Sequence, residues 1–472
     1  MELKESQTEE EKNYSECLTL RDLREIKIGG KQYINAKVII AITLHNQSRS
    51  LKKTLNSALS QTMVVDKLAR IVILDDQSND DWLSYNTKLI QHDAITILFA
   101  CCGSPARARN QLLDYARNKS VKWVARLDSD DYLENKLSLE SLFNEGEKNS
   151  STFVLGSNRL IKDGNKLTIS NIVNSEIFKS KKLLLEFIDD FCSFKSKQEL
   201  PSCNLLLRAN SGFSYPNVKS AEDHWLVAKL LMLHNEKGSF VSTPFYSVYS
   251  LDGNDSKQNQ ESLVWYEQRK RLIIAVSIWY EMLSHNKFLL GVGMEGVVLK
   301  EQGKVIKHFY PWAIDDLSVN SLKEILPKFC KNLPKVEWSF NKNRWSYNTP
   351  YLNARPMAKR ETKKAVISFL TNMYINRVCC LNIKRDNLLV LPDGDFFYID
   401  IGKDIKKFTN SYFWDMSARL YSIAIIGNDD EELVRRKISC NQDASLDGLA
   451  GFGIFYNDLI NFCKNSSACF NL

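Results

Sequence analysis

Four short runs of apolar residues alternate with amphipathic segments early in the chain, and they constrain its fold more than any other feature. The runs cover residues 37–42, 69–74, 94–99 and 121–127. A continuous apolar run of this length is typical of a strand that is buried on both faces. Helical patterns at residues 50–60 and 106–117 lie between the runs. We therefore predict an α/β fold with a mostly parallel sheet.

Acidic residues directly follow two of these predicted strands. Asp75 and Asp76 end the second, and Asp128, Asp130 and Asp131 follow the fourth. Ligands of open α/β sheets bind at the carboxyl ends of the strands. Clustered carboxylates repel each other unless a cation lies among them, and oxygen-only ligands favour Mg²⁺ or Mn²⁺. A solvated turn is the alternative interpretation of the second cluster.

The length, net charge and cysteine count are those of an ordinary globular chain with more than one domain. Its 472 residues exceed one common core, which favours two or three domains. The net charge of +7 is spread thinly, without basic runs, so we expect no nucleic-acid partner. The 11 cysteines show no metal-ligand spacing, which favours reduced thiols.

Two features of the chain bear on its location. The first five residues include no long apolar stretch, and the apolar run at residues 272–283 is too short to span a bilayer. We expect a cytoplasmic protein, and peripheral association with the inner face of the membrane is an open alternative.

Changes in composition and hydrophobic pattern along the chain predict four regions. Residues 1–35 form a polar N-terminal extension, and residues 36–256 carry the strand–helix alternation. Residues 257–286 read as a helical connector without glycine or proline in its long apolar part, and residues 287–472 begin glycine-punctuated and β-rich. The second domain is therefore predicted to be α+β.

Six short motifs lie in residues 36–256, at residues 38–46, 55–62, 74–80, 108–110, 127–131 and 222–223. They occur in the order found in family-two glycosyltransferases of GT-A fold, and the region resembles that family. The resemblance implies a Rossmann-like mixed sheet that binds a nucleotide-diphosphate sugar. It also implies nucleotide-sugar-binding roles for Thr43, His45, Asn46, Asp75, Asp76, Arg109 and Asp128.

The chemistry of such a transfer suggests specific roles for the acidic motifs. Asp128 and Asp130 are two residues apart, so on an extended segment they point to the same side and can share one Mn²⁺ or Mg²⁺. An inverting transfer needs a carboxylate to take the proton of the acceptor hydroxyl. Asp223 is the candidate base, and Glu222 is the alternative.

The region departs from the family pattern in three places. Leu44 and His45 replace the usual aromatic turn, so stacking on the base falls to His45. Gln77 replaces a glycine. Asp252 stands near the position where many members have a histidine, and it is the third predicted metal ligand.

A second set of motifs lies within residues 287–425. A glycine-rich loop precedes a strand with a lysine, and a loop rich in amides precedes an aspartate. This order resembles protein-kinase-like phosphotransferases, especially bacterial lipopolysaccharide and sugar kinases. The resemblance implies an ATP and Mg²⁺ site formed by Gly291, Gly293, Gly296, Lys307, Glu324, Asn382, Asn387 and Asp400. Glu324 is the expected partner of Lys307.

Asn382 stands where such kinases have their catalytic aspartate, and an amide cannot act as a carboxylate base. Phosphoryl transfer depends mostly on positioning and charge neutralisation, so both a degenerate regulatory domain and an active sugar kinase stay open.

Together the resemblances predict an inverting, metal-dependent glycosyltransferase of surface-polysaccharide or lipopolysaccharide synthesis. Its acceptor would be a glycan or a lipid-linked saccharide, and its second domain would be kinase-like. The alternatives are a bifunctional glycosyltransferase and ATP-dependent glycan kinase, and a non-catalytic module that binds sugar nucleotides or glycans.

Overall fold

The computed structural model divides the chain into two compact units, Leu20–Ser284 and a unit that includes His285–Leu472. It describes residues 23–162, 167–196, 198–250, 262–285, 288–326, 330–358, 360–427 and 452–470. Asp252, the third predicted metal ligand, lies outside the described residues. The predicted connector does not stand apart, because its helix, Leu263–Ser284, belongs to the first unit.

The first unit is a mixed α/β structure with twelve described strands. In chain order they are β1 Arg24–Lys27, β2 Val38–Leu44, β3 Ala69–Asp76, β4 Ile95–Ala100, β5 Trp123–Asp128, β6 Tyr132–Leu133, β7 Phe153–Gly156, β8 Asn158–Lys162, β9 Leu167–Asn171, β10 Leu205–Arg208, β11 Gly238–Val241 and β12 Ser247–Ser250.

Eight of these strands form the main sheet, in the order β1-β4-β3-β2-β5-β10-β7-β11. The four predicted strands are β2 to β5, and they run parallel to one another. Their residues are buried on both faces, which explains the continuous apolar runs. β10 runs antiparallel to β5 and β7, so the sheet is mixed, as expected.

The register of the parallel strands brings their carboxyl ends to one edge. Thr43 pairs with Asp128, Leu44 pairs with Asp75, and Asp76 pairs with Ala100. The acidic clusters that are about 50 residues apart in the chain therefore lie at the same edge of the sheet.

Helices cover the faces of this sheet, and β6, β12, β8 and β9 form a smaller second sheet. The α-helices are Leu51–Leu59, Thr62–Val65, Trp82–Tyr85, Thr87–Ile90, Pro105–Asn118, Ser138–Lys148, Ser175–Lys179, Lys181–Cys192, Glu222–His234 and Leu263–Ser284. The core between helices and main sheet includes Ile40, Leu55, Ile73 and Trp123, all fully or almost fully buried. Each such side chain contributes about 1.5–3 kcal/mol of burial free energy.

The second unit pairs antiparallel strands with helices, so it is α+β as predicted. Its strands are β13 Phe288–Val292, β14 Gly296–Glu301, β15 Lys304–Phe309, β16 Glu337–Asn341, β17 Arg344–Pro350, β18 Arg355–Pro356, β19 Val378–Cys380, β20 Leu388–Val390, β21 Phe396–Tyr398 and β22 Ile405–Lys407. Its described α-helices are Asp316–Ile325, Lys363–Ile375, Asn410–Tyr421 and Phe452–Phe470.

Five strands of this unit form one antiparallel sheet, in the order β13-β14-β15-β17-β16. The helix Asp316–Ile325 lies in the chain between β15 and β16. A second core, distinct from that of the first unit, gathers Phe369, Leu370, Phe396 and Phe413, all fully buried.

Two expectations about the whole chain can be compared with the described residues. None of their helices combines the length and the apolarity needed to cross a membrane. Six free cysteines are buried: Cys102, Cys192, Cys203, Cys379, Cys380 and Cys463. These six agree with the expectation of reduced, buried thiols, whereas Cys101 is disulfide-bonded.

Candidate functional site

A cavity of about 530 Å³ opens within the first unit, at the edge where the parallel strands end. It collects side chains from segments that are far apart in the sequence. Of the predicted residues, those that line it are Thr43, His45, Asp76, Arg109, Asp128, Asp130, Glu222 and Asp223.

The two acids at the end of β3 have different surroundings. Asp75 is 1% exposed, and its carboxylate accepts hydrogen bonds from the Ser78 backbone N–H and the Trp82 indole, both at 2.9 Å. Asp76 lines the cavity, and its Oδ1 accepts the Cys102 and Gly103 N–H groups at 2.5 and 3.2 Å. Asp75 therefore fixes the turn after β3, while Asp76 is the acid that faces the cavity.

The turn after β2 is held against the turn after β3. The exposed His45 ring contacts the Asp76 carbonyl through Nδ1 at 2.7 Å, and Asn46 accepts the Asn79 N–H at 2.7 Å. Gln77 adopts φ +57°, in the left-handed region that favours glycine. The residue that replaces the family's glycine thus keeps the backbone conformation of a glycine turn.

Asp128, at the end of β5, is held by two arginines. Arg126 donates to it through Nε at 3.1 Å and Nη2 at 2.5 Å, and Arg109 donates through Nη2 at 3.1 Å. Burial would raise the pKa of Asp128, but both arginines stabilise the carboxylate, and the pKa falls to about 2. Asp128 is therefore ionised over the whole physiological range.

Arg109 reaches this site because of the helix that carries it. Ser104 caps the helix Pro105–Asn118 by accepting the Arg107 N–H, and Pro105 occupies its first turn. Arg109 then lies one turn in, where it contacts both Asp128 and Glu222.

Arg126 is the site residue that the sequence interpretation missed. It is 6% exposed, and besides Asp128 it donates to Asp223 Oδ2 and to the Ser202 carbonyl, both at 2.8 Å. The signal was present, because an arginine inside a strand of otherwise buried apolar residues must have buried partners.

Glu222 and Asp223 begin the helix Glu222–His234, and their pKa values are shifted in opposite directions. Burial raises the pKa of Glu222 in spite of the nearby Arg109. Burial also opposes the charge on Asp223, yet His224, Arg126 and Arg109 outweigh it, and the pKa of Asp223 lies below its ordinary value. Of the two carboxylates, Glu222 has the greater affinity for a proton.

Asp128 and Asp130 both line the cavity, but the described residues include no group of three or more His, Cys, Asp or Glu side chains placed to hold a metal ion. Mg²⁺ is commonly held by one or two carboxylates together with substrate phosphates. The Asp128 and Asp130 pair is of that kind, and an ion held there would share Asp128 with the two arginines that already bind it.

Another wall of the cavity comes from the helix Leu263–Ser284 and the segment before β10. Trp265, Arg269 and Glu199 line this wall. The Arg269 guanidinium lies 3.9 Å from the Trp265 ring centroid and 4.1 Å from that of Phe191. The predicted connector helix therefore contributes directly to the site.

The second unit has its own polar cluster, centred on Lys307 of β15. The Lys307 ammonium lies 2.7 Å from Asp400 Oδ1 and 2.8 Å from Glu295 Oε2. The amides of Asn382 and Asn387 donate to Asp400 Oδ2 at 3.0 and 3.1 Å.

The cluster brings together four of the eight residues predicted for the second domain, and the three predicted glycines lie in or beside the turn that carries Glu295. Glu324 is not part of the cluster. Glu324 is exposed on the helix Asp316–Ile325, and Glu295 takes the place expected for it as the partner of Lys307. Sequence spacing missed Glu295 because that residue lies inside the glycine-rich turn itself, between Gly293 and Gly296.

Part of the first unit matches a known family model. Residues 39–208 match the model described as Glycosyl transferase family 2. The match confirms the resemblance for this region, which includes Arg109, Arg126, Asp128 and Asp130. Glu222 and Asp223 lie beyond its end.

Two curated relatives match parts of the chain. One is the UDP-Glc:alpha-D-GlcNAc-diphosphoundecaprenol beta-1,3-glucosyltransferase WfaP of Escherichia coli, 38% identical over 112 residues, which are 24% of this chain and 42% of WfaP. The other is the poly(ribitol-phosphate) beta-N-acetylglucosaminyltransferase TarP of Staphylococcus aureus (strain N315), 30% identical over 122 residues, 25% of this chain and 36% of TarP. The chain thus spans less than half the length of either relative.

Two solved structures show distant similarity to the chain. S. aureus TarS 1–349 aligns with a TM-score of 0.36 and 17% identity, over 52% of this chain and 72% of that chain. The mannosyltransferase PcManGT from Pyrobaculum calidifontis, in complex with GDP-Man and Mn²⁺, aligns with a TM-score of 0.34 and 12% identity, over 58% and 70%.

Proposed function

We propose that the first unit is an inverting, metal-assisted glycosyltransferase. It would transfer a sugar from a nucleoside-diphosphate sugar to a hydroxyl of a glycan or lipid-linked acceptor in cell-surface polysaccharide or lipopolysaccharide synthesis. One observation carries the proposal. Asp128, Asp130, Arg109, Glu222 and Asp223 converge on one cavity, at the strand ends of a region that matches glycosyl transferase family 2.

The nucleotide would bind at the edge formed by the turns after β2 and β3. His45 is exposed beside Asp76 and can stack on a base, while Thr43 and Asp76 line the cavity next to it. A hydrogen bond from the base to Asp75 would compete with the two that Asp75 already accepts, so Asp76 is the more accessible acceptor.

The diphosphate would lie near Asp128 and Asp130, which would hold Mn²⁺ or Mg²⁺ jointly with it. The ion would neutralise the charge that builds on the leaving phosphate. Arg109 lies beside the same carboxylate and adds a fixed positive charge at that point.

Glu222 and Asp223 would remove the proton of the acceptor hydroxyl. A general base works best when its pKa lies near the working pH. The raised pKa of Glu222 favours it as proton acceptor, and the ion pair of Asp223 with Arg126 favours a role for Asp223 in orienting the acceptor. The pair is therefore proposed as a unit, with either member as the base.

Release of nucleoside diphosphate from a panel of nucleotide sugars with Mn²⁺ tests this function. The wild type should turn over at least one donor. Asp130→Ala should reduce the rate at least about a hundredfold, because phosphate charge neutralisation is lost. Asp81→Ala, at an acidic residue outside the cavity lining, is the matched control. Equal rates in wild type and Asp130→Ala would refute the metal role of Asp130.

A second function is favoured by the Lys307 cluster. We infer that the second unit is kinase-like and binds Mg–ATP through Lys307, Asn387 and Asp400, with a degenerate or regulatory role because Asn382 replaces the carboxylate base. The support is a buried lysine 2.7 Å from an aspartate whose other oxygen accepts two amides. Such groups suit phosphates and Mg²⁺.

Calorimetric titration with Mg–ATP tests this second function. The full-length chain should bind ATP, and Lys307→Ala should abolish binding. Transfer of the γ-phosphate to a glycan would support the bifunctional alternative. A chain that neither turns over a sugar nucleotide nor transfers phosphate, yet binds both ligands, would support the alternative of a binding module.

A further inference from the structure

The glycine-rich turn between β13 and β14 carries an acid that points into the Lys307 cluster. The turn is closed by a hydrogen bond from the Gly293 N–H to the Gly296 carbonyl at 2.9 Å. The Glu295 carbonyl accepts the Tyr310 N–H at 2.8 Å. The backbone of Glu295 is therefore fixed next to the end of β15, the strand that carries Lys307.

The side chain of Glu295 shares Lys307 with Asp400. Its Oε2 lies 2.8 Å from the ammonium, and Asp400 Oδ1 lies 2.7 Å from the same atom. The Lys307 side chain is only 6% exposed, whereas that of Glu295 is 33% exposed. One buried cation is thus held between two carboxylates, of which Glu295 is the more accessible.

The Glu295 carboxylate also lies close to the backbone of Gly402. A Cβ atom built on Gly402 would lie 2.9 Å from Glu295 Oε2. The carboxylate therefore packs against the backbone two residues beyond Asp400, in space that any side chain at position 402 would occupy. The glutamate fits this space because residue 402 is glycine.

We propose that Glu295 is a built-in competitor for phosphate at the Lys307 site. Its carboxylate holds the cation that the phosphates of a nucleoside triphosphate need, so it must leave before the nucleotide binds. This inference rests on the proposed nucleotide-binding function of the second unit and adds its regulation.

Electrostatics give the reason for the competition. A triphosphate that approaches Lys307 meets the negative charge of Glu295 at the same ammonium, and like charges in a partly buried site repel strongly. Nucleotide binding is then weakened by the fraction of time that Glu295 occupies the site. The loss of affinity is the same for every nucleoside triphosphate, whatever its nucleobase, because only the phosphates compete with Glu295.

The turn has room for the glutamate to withdraw. A Cβ built on Gly291 or Gly293 would meet no atom within 4 Å, and Leu290 and Met294 are exposed. Lys307 and Asp400 can meanwhile stay in place, since they contact each other directly and Asp400 keeps both amides. The opening thus needs movement of one side chain that is already partly exposed.

Titration calorimetry of the full-length chain with Mg–ATP tests the proposal. Glu295→Gln removes the charge and keeps the size, so the dissociation constant should fall at least about tenfold, the effect of removing a charge-assisted contact to Lys307. Glu337→Gln is the matched control, because Glu337 is an exposed acid of the same sheet, 3.6 Å from Lys304. It should leave the affinity unchanged.

A second variant perturbs the same contact from the opposite side. Gly402→Ala places a methyl group against Glu295 Oε2, the mobile end of a flexible side chain, and should tighten Mg–ATP binding in the same direction by a smaller factor. In the double variant with Glu295→Gln, the effect of Gly402→Ala should vanish, since the competing charge is already absent.

The possible outcomes separate this inference from the function on which it rests. Equal affinity of wild type and Glu295→Gln overturns the competition and leaves the nucleotide site standing. Weaker binding by Glu295→Gln would make Glu295 a ligand contact and also overturns it. Failure of wild type and both variants to bind Mg–ATP overturns the nucleotide site and the competition together.

Discussion

At the residue scale, Arg126 and Arg109 explain how three acids can lie together in one cavity. The Arg126 guanidinium joins Asp128 to Asp223, and Arg109 joins Asp128 to Glu222. The pairs lie where water is largely excluded, so each charge depends on its partner, and removal of one member of such a pair costs about 3–5 kcal/mol. The proposed metal-binding acid and the proposed base are therefore held by the same two cations.

His224 gives this site a measurable dependence on pH. Burial disfavours the charged ring, and although Asp223 opposes this effect, the pKa of His224 falls to about 4. In the unfolded chain the ring takes up a proton near pH 6.5, which the folded chain resists. Stability is thus complete above that pH and is lost as the pH falls toward 4.

We expect the free energy of unfolding of the first unit to fall by about 2 kcal/mol between pH 7 and pH 5 because of His224 alone. Urea titrations at both pH values measure how much the free energy of unfolding changes with pH in the wild type and in His224→Asn. The contribution of His224 is the difference between these two changes. That comparison cancels the opposite contributions of Glu222, Glu199 and Asp76, whose pKa values are raised. His92→Asn, at an exposed histidine, is the control. An equal pH dependence in His224→Asn and wild type would contradict the assignment.

At the element scale, the three glycines of the turn between β13 and β14 have different jobs. A Cβ on Gly296 would lie 2.0 Å from the His308 carbonyl oxygen, on the neighbouring strand β15. Gly291 and Gly293 border open space. Gly296 therefore permits β14 and β15 to pair, while the other two leave room beside the site for a ligand or for movement of the turn.

Gly296→Ala should destabilise the second unit by about 2–4 kcal/mol, because a backbone oxygen cannot give way as a flexible side chain can. Gly293→Ala is the matched control in the same turn and should change stability by less than about 1 kcal/mol. Thermal unfolding followed by circular dichroism compares the two. Equal losses would show that strand pairing tolerates a side chain at residue 296.

At the scale of the whole molecule, two cores divide the described chain. One gathers around Ile40 and Trp123, and the other around Phe369 and Phe396. Units with separate cores can unfold in separate transitions, so a single unfolding free energy does not describe such a chain.

Differential scanning calorimetry of the full-length chain should therefore resolve two transitions. Ile40→Ala should lower the midpoint temperature of one transition only, and Phe369→Ala that of the other. Each cavity should reduce the free energy of unfolding of its unit by about 3–5 kcal/mol. Each variant serves as the control for the other. A single transition that both variants lower equally would show that the two units unfold as one.

The sequence by itself determined the local elements and the chemistry at their ends. The apolar runs gave β2 to β5 within two residues of their bounds, because burial on both faces leaves a pattern that needs no tertiary information. The acids at the strand ends followed from the same pattern, since parallel strands bring their carboxyl ends to one edge.

Only the tertiary structure decided which charges meet. Arg126 pairs with Asp223 across 97 residues, and Glu295 displaces Glu324 as the partner of Lys307. It also brought the helix Leu263–Ser284 into the cavity wall of the first unit. Contacts of this kind depend on the directions of side chains after packing, and the spacing of residues along the chain carries no record of them.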